Sequence, residues 1–450
     1  TLTAFVASKN ETMGGLEELE KLNQLRGYLE ILYLDRVHNP YGETNANYLK
    51  EKQHLQRLKL KWDLGVENCS NHLSIMNLLE PHPHLKVLFL EGYQGESLST
   101  WLTSIQLRGL VKLSLHNCPG CKYLSQQDQL PKLKILELVR LENLCSVVEE
   151  CDKDAHFYKN LQELTIIDCP TLKSWWGTSS VDEKIFFAKI SKLHVHNCPK
   201  LQRLPRLDMV LEGSTSTSFG KELVLEGSSL KLLLESMYSI PFENLHIQNC
   251  KDDLEKLSIF FQHLGSLQRL TIENCAEINL DDRKSKPFEE HLGLGKMKKI
   301  RAETNHDDGK INQNWKGLKS VRFLTLREIP NLRSLSFGDS VATLLELTLH
   351  SCHGLTSISA KMIDKLTSLR ELSLHNCHGL TSISESIFKL TSLRRLEISK
   401  CNKLKSLPKN MTKLKSLKSL IILDCALLLP RCQEETGDDW PQIRLIKHRE

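Results

Sequence analysis

Cysteine and histidine are the residues of this 450-residue chain whose types and spacing could support metal or redox chemistry. Cys118 and Cys121 form a Cys-x-x-Cys pair, which occurs in redox centres and as half of a zinc site. No second such pair accompanies it in the sequence, so a closed four-ligand zinc site lacks half of its ligands. His194 and His196 lie two residues apart, which on a strand places both rings on one face. We expect no metal at either pair, because an internal repeat explains both positions.

Motifs for catalysis are missing from the sequence. It contains no Gly-x-x-x-x-Gly-Lys-Ser/Thr phosphate loop, no His-Glu-x-x-His zinc motif and no Gly-x-Ser-x-Gly elbow. Sixty Lys and Arg against 55 Asp and Glu leave a net charge of +5, too small to indicate nucleic acid as the main partner. The longest apolar run, near Leu420 to Leu429, is interrupted by Asp424 and is too short to span a membrane. The sequence therefore predicts a surface for binding, and not an enzyme.

An internal repeat sets the secondary structure on which the cysteines and histidines lie. Its pattern is Leu-x-x-Leu-x-Leu-x-x-Cys-x-x-Leu, which is clearest at Leu369, Leu372, Leu374, Cys377 and Leu380. Sixteen copies recur about every 26 residues, which is within the 20 to 29 residues typical of leucine-rich repeats. The copies start at Leu29, Leu55, Leu85, Leu110, Leu133, Leu161, Ile190, Gly220, Phe242, Leu267, Met297, Val321, Leu344, Leu369, Leu393 and Leu417. The copies at Gly220 and Met297 are degenerate.

The fold follows from the alternation inside each copy. The second and third leucines alternate with outward residues, so each copy predicts one short strand with an apolar inner side. No single copy can bury that side alone, and the copies must therefore stack. We predict an α/β solenoid, a leucine-rich-repeat horseshoe of about 16 repeats with a continuous parallel β-sheet on its concave face. One leucine-rich-repeat domain is expected over residues 1–450, with repeats over about 29–430, an opening repeat or cap at 1–28, a C-terminal cap at 431–450, and irregular insertions at about 207–222 and 281–310.

The repeat also accounts for most cysteines and several histidines. Nine of the 14 cysteines occupy one repeat position after the strand, where a small thiol can donate weakly to backbone carbonyls of the turn and pack as an apolar group. They are Cys118, Cys169, Cys198, Cys250, Cys275, Cys352, Cys377, Cys401 and Cys425. We expect free thiols, because stacked side chains run parallel and do not point at one another. His116, His196, His350 and His375 follow the third leucine, at an outward position.

The C-terminal segment carries a resemblance to a known family. Arg431-Cys432-Gln433-Glu434-Glu435-Thr436-Gly437-Asp438-Asp439-Trp440-Pro441 resembles the end of plant coiled-coil nucleotide-binding leucine-rich-repeat immune receptors, which close on Cys followed by Gly-Glu/Asp-Asp-Trp-Pro. Residues 49–62, 16–31, 80–86 and 129–134 resemble the family's repeats as well. At Leu98-Ser99 the family usually has Phe-Pro, which puts one local turn in doubt.

This resemblance implies an intracellular, cytoplasmic sensor with possible nuclear partition. Its repeat domain would recognise a pathogen effector, directly or through a guarded host protein, and would control an upstream nucleotide-binding switch. ATP or ADP would bind only in that upstream domain, so no cofactor is expected in residues 1–450. Two alternatives remain open, a substrate-recognition subunit of a ubiquitin ligase and an extracellular receptor ectodomain. The Cys-x-x-Ile-Thr-Asp-x-Gly-Leu repeat of the first and the Gly-x-Ile-Pro repeat of the second are absent from the sequence.

Outward positions of the strands are the expected binding sites, because alternation directs their side chains to the concave face. For the partner we predict a site on the late, nearly uniform repeats, with acidic residues alternating with His and Arg across adjacent strands. Its residues are Glu346, Thr348, His350, Glu371, Ser373, His375, Arg395 and Glu397. Similar receptors hold their nucleotide-binding module through early repeats, so we predict an intramolecular docking strip at Arg57, Lys59 and Lys61. The insertion at 281–310 is the competing partner site.

Overall fold

The computed structural model of the chain describes residues 2–7, 15–37, 48–63, 71–103, 107–124, 130–148, 160–176, 189–204, 221–227, 232, 242–250, 265–275, 318–335, 337 and 341–449. The chain folds into two compact units, Thr1–Cys250 and Lys251–Glu450. Each unit contains short strands that pair in parallel, with turns and short helices between them.

The first unit contains twelve described strands and four short helices. The strands are β1 (Ala4–Val6), β2 (Gly27–Leu32), β3 (Leu55–Lys61), β4 (Val87–Glu91), β5 (Lys112–His116), β6 (Ile135–Val139), β7 (Ser146–Val148), β8 (Glu163–Ile167), β9 (Ser174–Trp176), β10 (Lys192–His196), β11 (Glu222–Glu226) and β12 (Asn244–Gln248). Helices span Glu17–Glu20, Leu34–Arg36, His72–Asn77 and Thr100–Thr103. Strands β1 to β6, β8 and β10 to β12 form one parallel sheet in chain order, and β7 pairs with β9.

The second unit repeats this architecture. Its described strands are β13 (Arg269–Glu273), β14 (Phe323–Arg327), β15 (Glu346–His350), β16 (Ser357–Ile358), β17 (Glu371–His375), β18 (Ser382–Ile383), β19 (Arg395–Ser399), β20 (Ser419–Leu423) and β21 (His448–Arg449). Helices span Ala360–Ile363, Glu385–Lys389, Met411–Lys413, Leu429–Cys432 and Trp440–Ile443. Strands β13 to β15, β17 and β19 to β21 form a parallel sheet, and β16 pairs with β18.

The buried side of each sheet is built from the repeat leucines. In β17, Leu372 and Leu374 are buried while the residues on either side of them are half-exposed. Leu372 lies opposite Leu347 on one side and Leu396 on the other, so one row of leucines runs from repeat to repeat. Every predicted copy among the described residues has its strand, and the copy at Met297 lies outside them. The predicted leucine-rich-repeat solenoid is therefore confirmed within each unit, and one domain over residues 1–450 stays a prediction.

The turn after each strand shows why cysteine recurs there. The Cys377 Sγ donates to the carbonyls of His375 and Leu349, at 3.4 and 3.6 Å, and the side chain is fully buried. The residue before the cysteine has a positive φ, which asparagine tolerates better than most residues; Asn376 has φ 54°. The predicted role of the cysteines as buried donors in the turn is confirmed, and all cysteines in the described stretches are free thiols.

The ends of the repeat array differ in detail from the sequence prediction. The predicted first copy at Leu29 is out of phase, because Leu29 pairs with Leu58 as an inward strand residue and Gly27 lies opposite Leu55. Residues 1–28 include β1, which pairs in parallel with β2 and adds one more strand to the sheet. The degenerate copy at Gly220 does form a strand, since Leu223 and Leu225 are both buried. The insertion at 281–310, and all of the 207–222 insertion except its last two residues, lie outside the described residues.

Candidate partner-binding face

The predicted partner-binding residues form three rows on the second unit. We call the sheet side that carries the outward residues of its strands the open face. The first row contains Glu346, Glu371 and Arg395, because these residues pair in register across β15, β17 and β19. Thr348, Ser373 and Glu397 form the second row, and His350, His375 and Ser399 form the third. All eight predicted residues therefore lie together on adjacent strands.

The expected alternation of acid and base across strands holds between Glu371 and Arg395, but it was wrong between Glu346 and Glu371. Glu346 lies directly opposite Glu371, because both occupy the first outward position of their strands. Burial raises the pKa of the Glu346 carboxyl, Glu371 raises it further, and Arg269 opposes both. Arg395 instead contacts Glu397 on its own strand, with Nη2 2.8 Å from Oε2. The first row thus carries a concentrated negative charge beside a paired arginine.

A cleft of about 370 Å³ opens at the third row. Its lining residues are Arg327, Thr348, His350, His375, Asn376, Ser399 and Lys400. The His375 Nδ1 lies 2.7 Å from the Ser399 Oγ. Burial lowers the pKa of His350, the nearby Arg327 and His375 lower it further, and Glu328 and Glu273 oppose them. The cleft therefore presents hydrogen-bonding groups and two cations to a partner.

Sequence reasoning missed four of the residues that line this cleft, Arg327, Asn376, Ser399 and Lys400. Asn376 and Lys400 follow the strands in the left-handed conformation, at φ 54° and 53°. The position immediately before the repeat cysteine was a usable signal, because it follows the strand and adopts the left-handed conformation in successive repeats. Ser399 is the residue that pairs with His375 across β17 and β19, and only the strand register identifies it.

The predicted docking strip on the first unit is not a purely basic surface. The Lys59 Nζ lies 3.0 Å from Glu30 Oε1 and 3.0 Å from Glu91 Oε2, and Lys61 Nζ lies 3.3 Å from Glu91 Oε1. Burial opposes the charge on Lys59, but the hydrogen bonds that its ammonium donates to the carboxylates of Glu30 and Glu91 outweigh burial and raise the pKa of Lys59. Arg57 is exposed on the same strand and has no ion pair among the described residues. Arg57 is therefore the uncompensated charge of the strip.

The residues that first suggested metal or redox chemistry have structural roles. The Cys118 and Cys121 thiols are buried, and burial raises the pKa of Cys121 to about 12 and that of Cys118 still further. A thiol with such a raised pKa is a poor nucleophile and a poor metal ligand. His196 Nδ1 lies 3.0 Å from Glu226 Oε2, and His194 Nε2 lies 3.8 Å from the same oxygen. In the part of the chain that the structure describes, no three His, Cys, Asp or Glu residues are grouped to hold a metal.

Comparison with known proteins relates the chain to plant disease resistance proteins. Residues 16–141 match a family of leucine-rich repeats described as R13L1/DRL21 LRRs. The chain is 23% identical over 373 residues to disease resistance RPP13-like protein 1 of Arabidopsis thaliana, covering 78% of this chain and 32% of that protein. It is 28% identical over 247 residues to disease resistance protein RGA2 of Solanum bulbocastanum, covering 52% of this chain and 25% of that protein. The chain thus spans about a third or less of the length of these relatives.

A solved structure of a leucine-rich repeat protein from Bacteroides eggerthii aligns with 92% of this chain and with 66% of that protein's chain, with 13% identity and a TM-score of 0.47.

The helices of the described residues are short. The longest is the six-residue helix His72–Asn77, and none of them has the length and hydropathy needed to cross a bilayer.

Proposed function

We propose, from the premise that this chain is a leucine-rich-repeat domain similar to those of plant disease resistance proteins, that it is the sensing domain of a cytoplasmic immune receptor. In this proposal the open face of the late repeats binds a pathogen effector or a guarded host protein. The domain acts by recognition and not by catalysis. An upstream nucleotide-binding module, which would hold ATP or ADP, is the element that it controls.

The observation that supports this proposal is the separation of roles between the two sides of the sheet. In β15, β17 and β19 every inward residue is a buried leucine or isoleucine, while the outward residues are polar or charged. The outward side chains are thus free to vary without affecting the core. Three neighbouring strands of equal length also form a preorganised platform, on which a partner binds at low ordering cost. Charged rows on such a platform favour one partner over others.

We expect a quadruple substitution of Glu371, His375, Arg395 and Glu397 to Ala to abolish the response of the full-length receptor to its effector. The melting temperature should change by no more than about 4 °C, because no buried leucine is altered. Cell-death signalling after effector expression and thermal unfolding of the purified domain are the two measurements.

The matched control replaces four outward residues of the first unit, Glu163, Lys192, Glu222 and Gln248, by Ala and should leave the response intact. A quadruple variant that responds fully, together with a silent receptor lacking residues 281–310, would assign recognition to the insertion.

The second part of the proposal concerns restraint of the upstream module through the strip at Arg57, Lys59 and Lys61. Because Lys59 and Lys61 already contact Glu30 and Glu91, Arg57 is expected to supply most of the contact with an acidic surface of that module.

Arg57→Glu in the full-length receptor should therefore raise resting cell-death signalling almost as much as reversal of all three charges. The measurement is signalling without effector, with Lys86→Glu as the control, since Lys86 is an exposed cation beside the next strand. Unchanged resting activity in the triple reversal would contradict a role for the strip.

A further inference from the structure

The second unit carries a row of basic residues outside its open face, at the edge where the strands begin. Arg370, Arg394 and Lys418 each immediately precede a strand, β17, β19 and β20 respectively. The Arg394 N–H donates to the Arg370 carbonyl at 2.7 Å, and the Lys418 N–H donates to the Arg394 carbonyl at 2.8 Å. Their backbones are therefore neighbours at strand spacing, about 4.8 Å apart. All three side chains are exposed, and we call them the edge row.

More cations lie in the loops that lead into the same strands. Lys389, Lys413 and Lys415 are exposed, and of these Lys389 is paired with Asp364 at 2.7 Å. Lys413, Lys415 and Lys418 lie within residues 409–419, which contain no acidic residue. This edge is thus strongly positive in a chain whose overall charges nearly balance.

Stability does not explain the edge row. Its side chains form no ion pair among the described residues, and like charges on neighbouring strands repel each other. In the first unit the corresponding residues before β4, β5, β6 and β8 are Lys86, Val111, Lys134 and Gln162, so a neutral residue separates the cations. The sheet can therefore be built without consecutive cations at this position. A partner that neutralises the row is the simplest reason for it.

We propose that the edge row, together with Lys413 and Lys415, docks an acidic helix of a protein partner. Carboxylates at positions i and i+3 or i+4 of a helix lie about 5 to 6 Å apart, close to the spacing of the row. Carboxylates on one side of an extended strand lie roughly 6.6 Å apart, a poorer match. The surface is separate from the open face, so this docking is additional to recognition there.

Two other anionic partners fit the edge less well. Single-stranded nucleic acid is bound through stacking on aromatic side chains, whereas the half-exposed Phe388 beside this edge is covered by the Lys413 ammonium, 5.0 Å from its ring centroid. A membrane surface is bound by cations interspersed with apolar residues that insert into it. The residues between the cations of this edge are instead polar, as at Thr367, Thr391 and Ser416.

The test measures binding of a synthetic helical peptide with glutamates at i, i+4, i+7 and i+11 to the 450-residue chain. A peptide of the same composition, with its glutamates distributed around the helix, is the geometric control. The triple variant Arg370→Glu, Arg394→Glu and Lys418→Glu should bind the first peptide at least about tenfold more weakly. Lys86→Glu, Lys132→Glu and Lys134→Glu, which changes the net charge equally at exposed positions of the first unit, should bind it as the wild type does. Wild-type binding should weaken as salt is raised.

A neutral variant, Arg370→Gln, Arg394→Gln and Lys418→Gln, keeps the test valid if charge reversal prevents folding. It should melt at or above the wild-type temperature and still lose affinity for the peptide. A lower melting temperature would assign the row a structural role and overturn the proposal. Three further results would overturn the proposal. The first-unit control could lose as much affinity for the peptide as the edge-row variant, or the wild-type chain could bind both peptides equally. The wild-type chain could also bind phosphatidylserine vesicles or a single-stranded oligonucleotide more tightly than the peptide. If the open-face quadruple variant still responds to the effector while the wild-type chain binds the peptide, the proposed function fails and this inference remains.

Discussion

Leu372→Asp is expected to prevent the second unit from folding. Leu372 is 1% exposed and lies in the leucine row of the sheet, between Leu347 and Leu396. Truncating a buried leucine costs about 2 to 5 kcal/mol, and an unpaired buried carboxylate adds several more. That sum is comparable to the whole stability of a typical domain. Because each repeat is stabilised by its neighbours, the loss should extend to the adjacent repeats. Soluble yield and a thermal melt measure the effect.

Ser373→Asp provides the matched control, since it places the same carboxylate one residue further along β17 on the open face. Ser373 is half-exposed and contributes nothing to the buried row. The change should alter the free energy of unfolding by no more than about 0.5 kcal/mol. A Leu372→Asp protein that melts with the wild type, or a Ser373→Asp protein that fails to fold, would show that the inward and outward positions have been assigned the wrong way round.

Asp439→Ala is expected to destabilise the C-terminal end of the second unit by about 2 to 4 kcal/mol. Asp439 is 3% exposed and its Oδ2 accepts the buried backbone N–H of Leu407 at 3.0 Å. The same carboxylate accepts hydrogen bonds from Arg431 Nε at 3.2 Å and Nη2 at 3.1 Å. The substitution leaves a buried donor without its acceptor and separates the C-terminal segment from the last turns. Denaturant unfolding and amide exchange at Leu407 measure these losses.

Asp438→Ala is the control for this prediction, because Asp438 contacts the same arginine from a side chain that is 73% exposed. Exposed ion pairs contribute at most about 1 kcal/mol, so this variant should remain close to the wild type. If the two substitutions have equal effects, the Arg431 contact matters and the buried bond to Leu407 does not. If neither has an effect, the segment after residue 430 is not a cap.

The main strand of each described copy from Leu55 onward could be predicted from the sequence, because burial selects individual residues at a spacing of two along a strand. The degenerate copy at Gly220 illustrates this, since Leu223 and Leu225 were sufficient to form β11. The first copy was misplaced, because Gly27 and not a leucine lies opposite Leu55, the first consensus position of the next copy. The inward role of the cysteines was also predictable, as at Cys377, whose thiol donates to a carbonyl of its own repeat and to one of the preceding strand. These features depend on contacts that every repeat makes in the same way.

Charge pairing between outward residues of the strands could not be predicted, because it joins residues from different repeats. Lys59 contacts Glu30 and Glu91, which lie 29 and 32 residues away in the sequence. The lengths of the intervening loops vary, so only the strand register decides which outward residues meet. The same register placed Glu346 opposite Glu371, where alternating charges had been expected.

Which residues are buried follows from the order of the amino acids, because the free energy gained by removing apolar surface from water depends on residue type and on local periodicity. The repeat, its strands and the set of outward side chains were therefore predictable. The folded arrangement sets which outward side chains are neighbours, which charges are neutralised and which, like those of the edge row, have no partner among the described residues. Electrostatic interactions depend on the distance between groups, and in a solenoid that distance is fixed by stacking of repeats and not by separation along the chain.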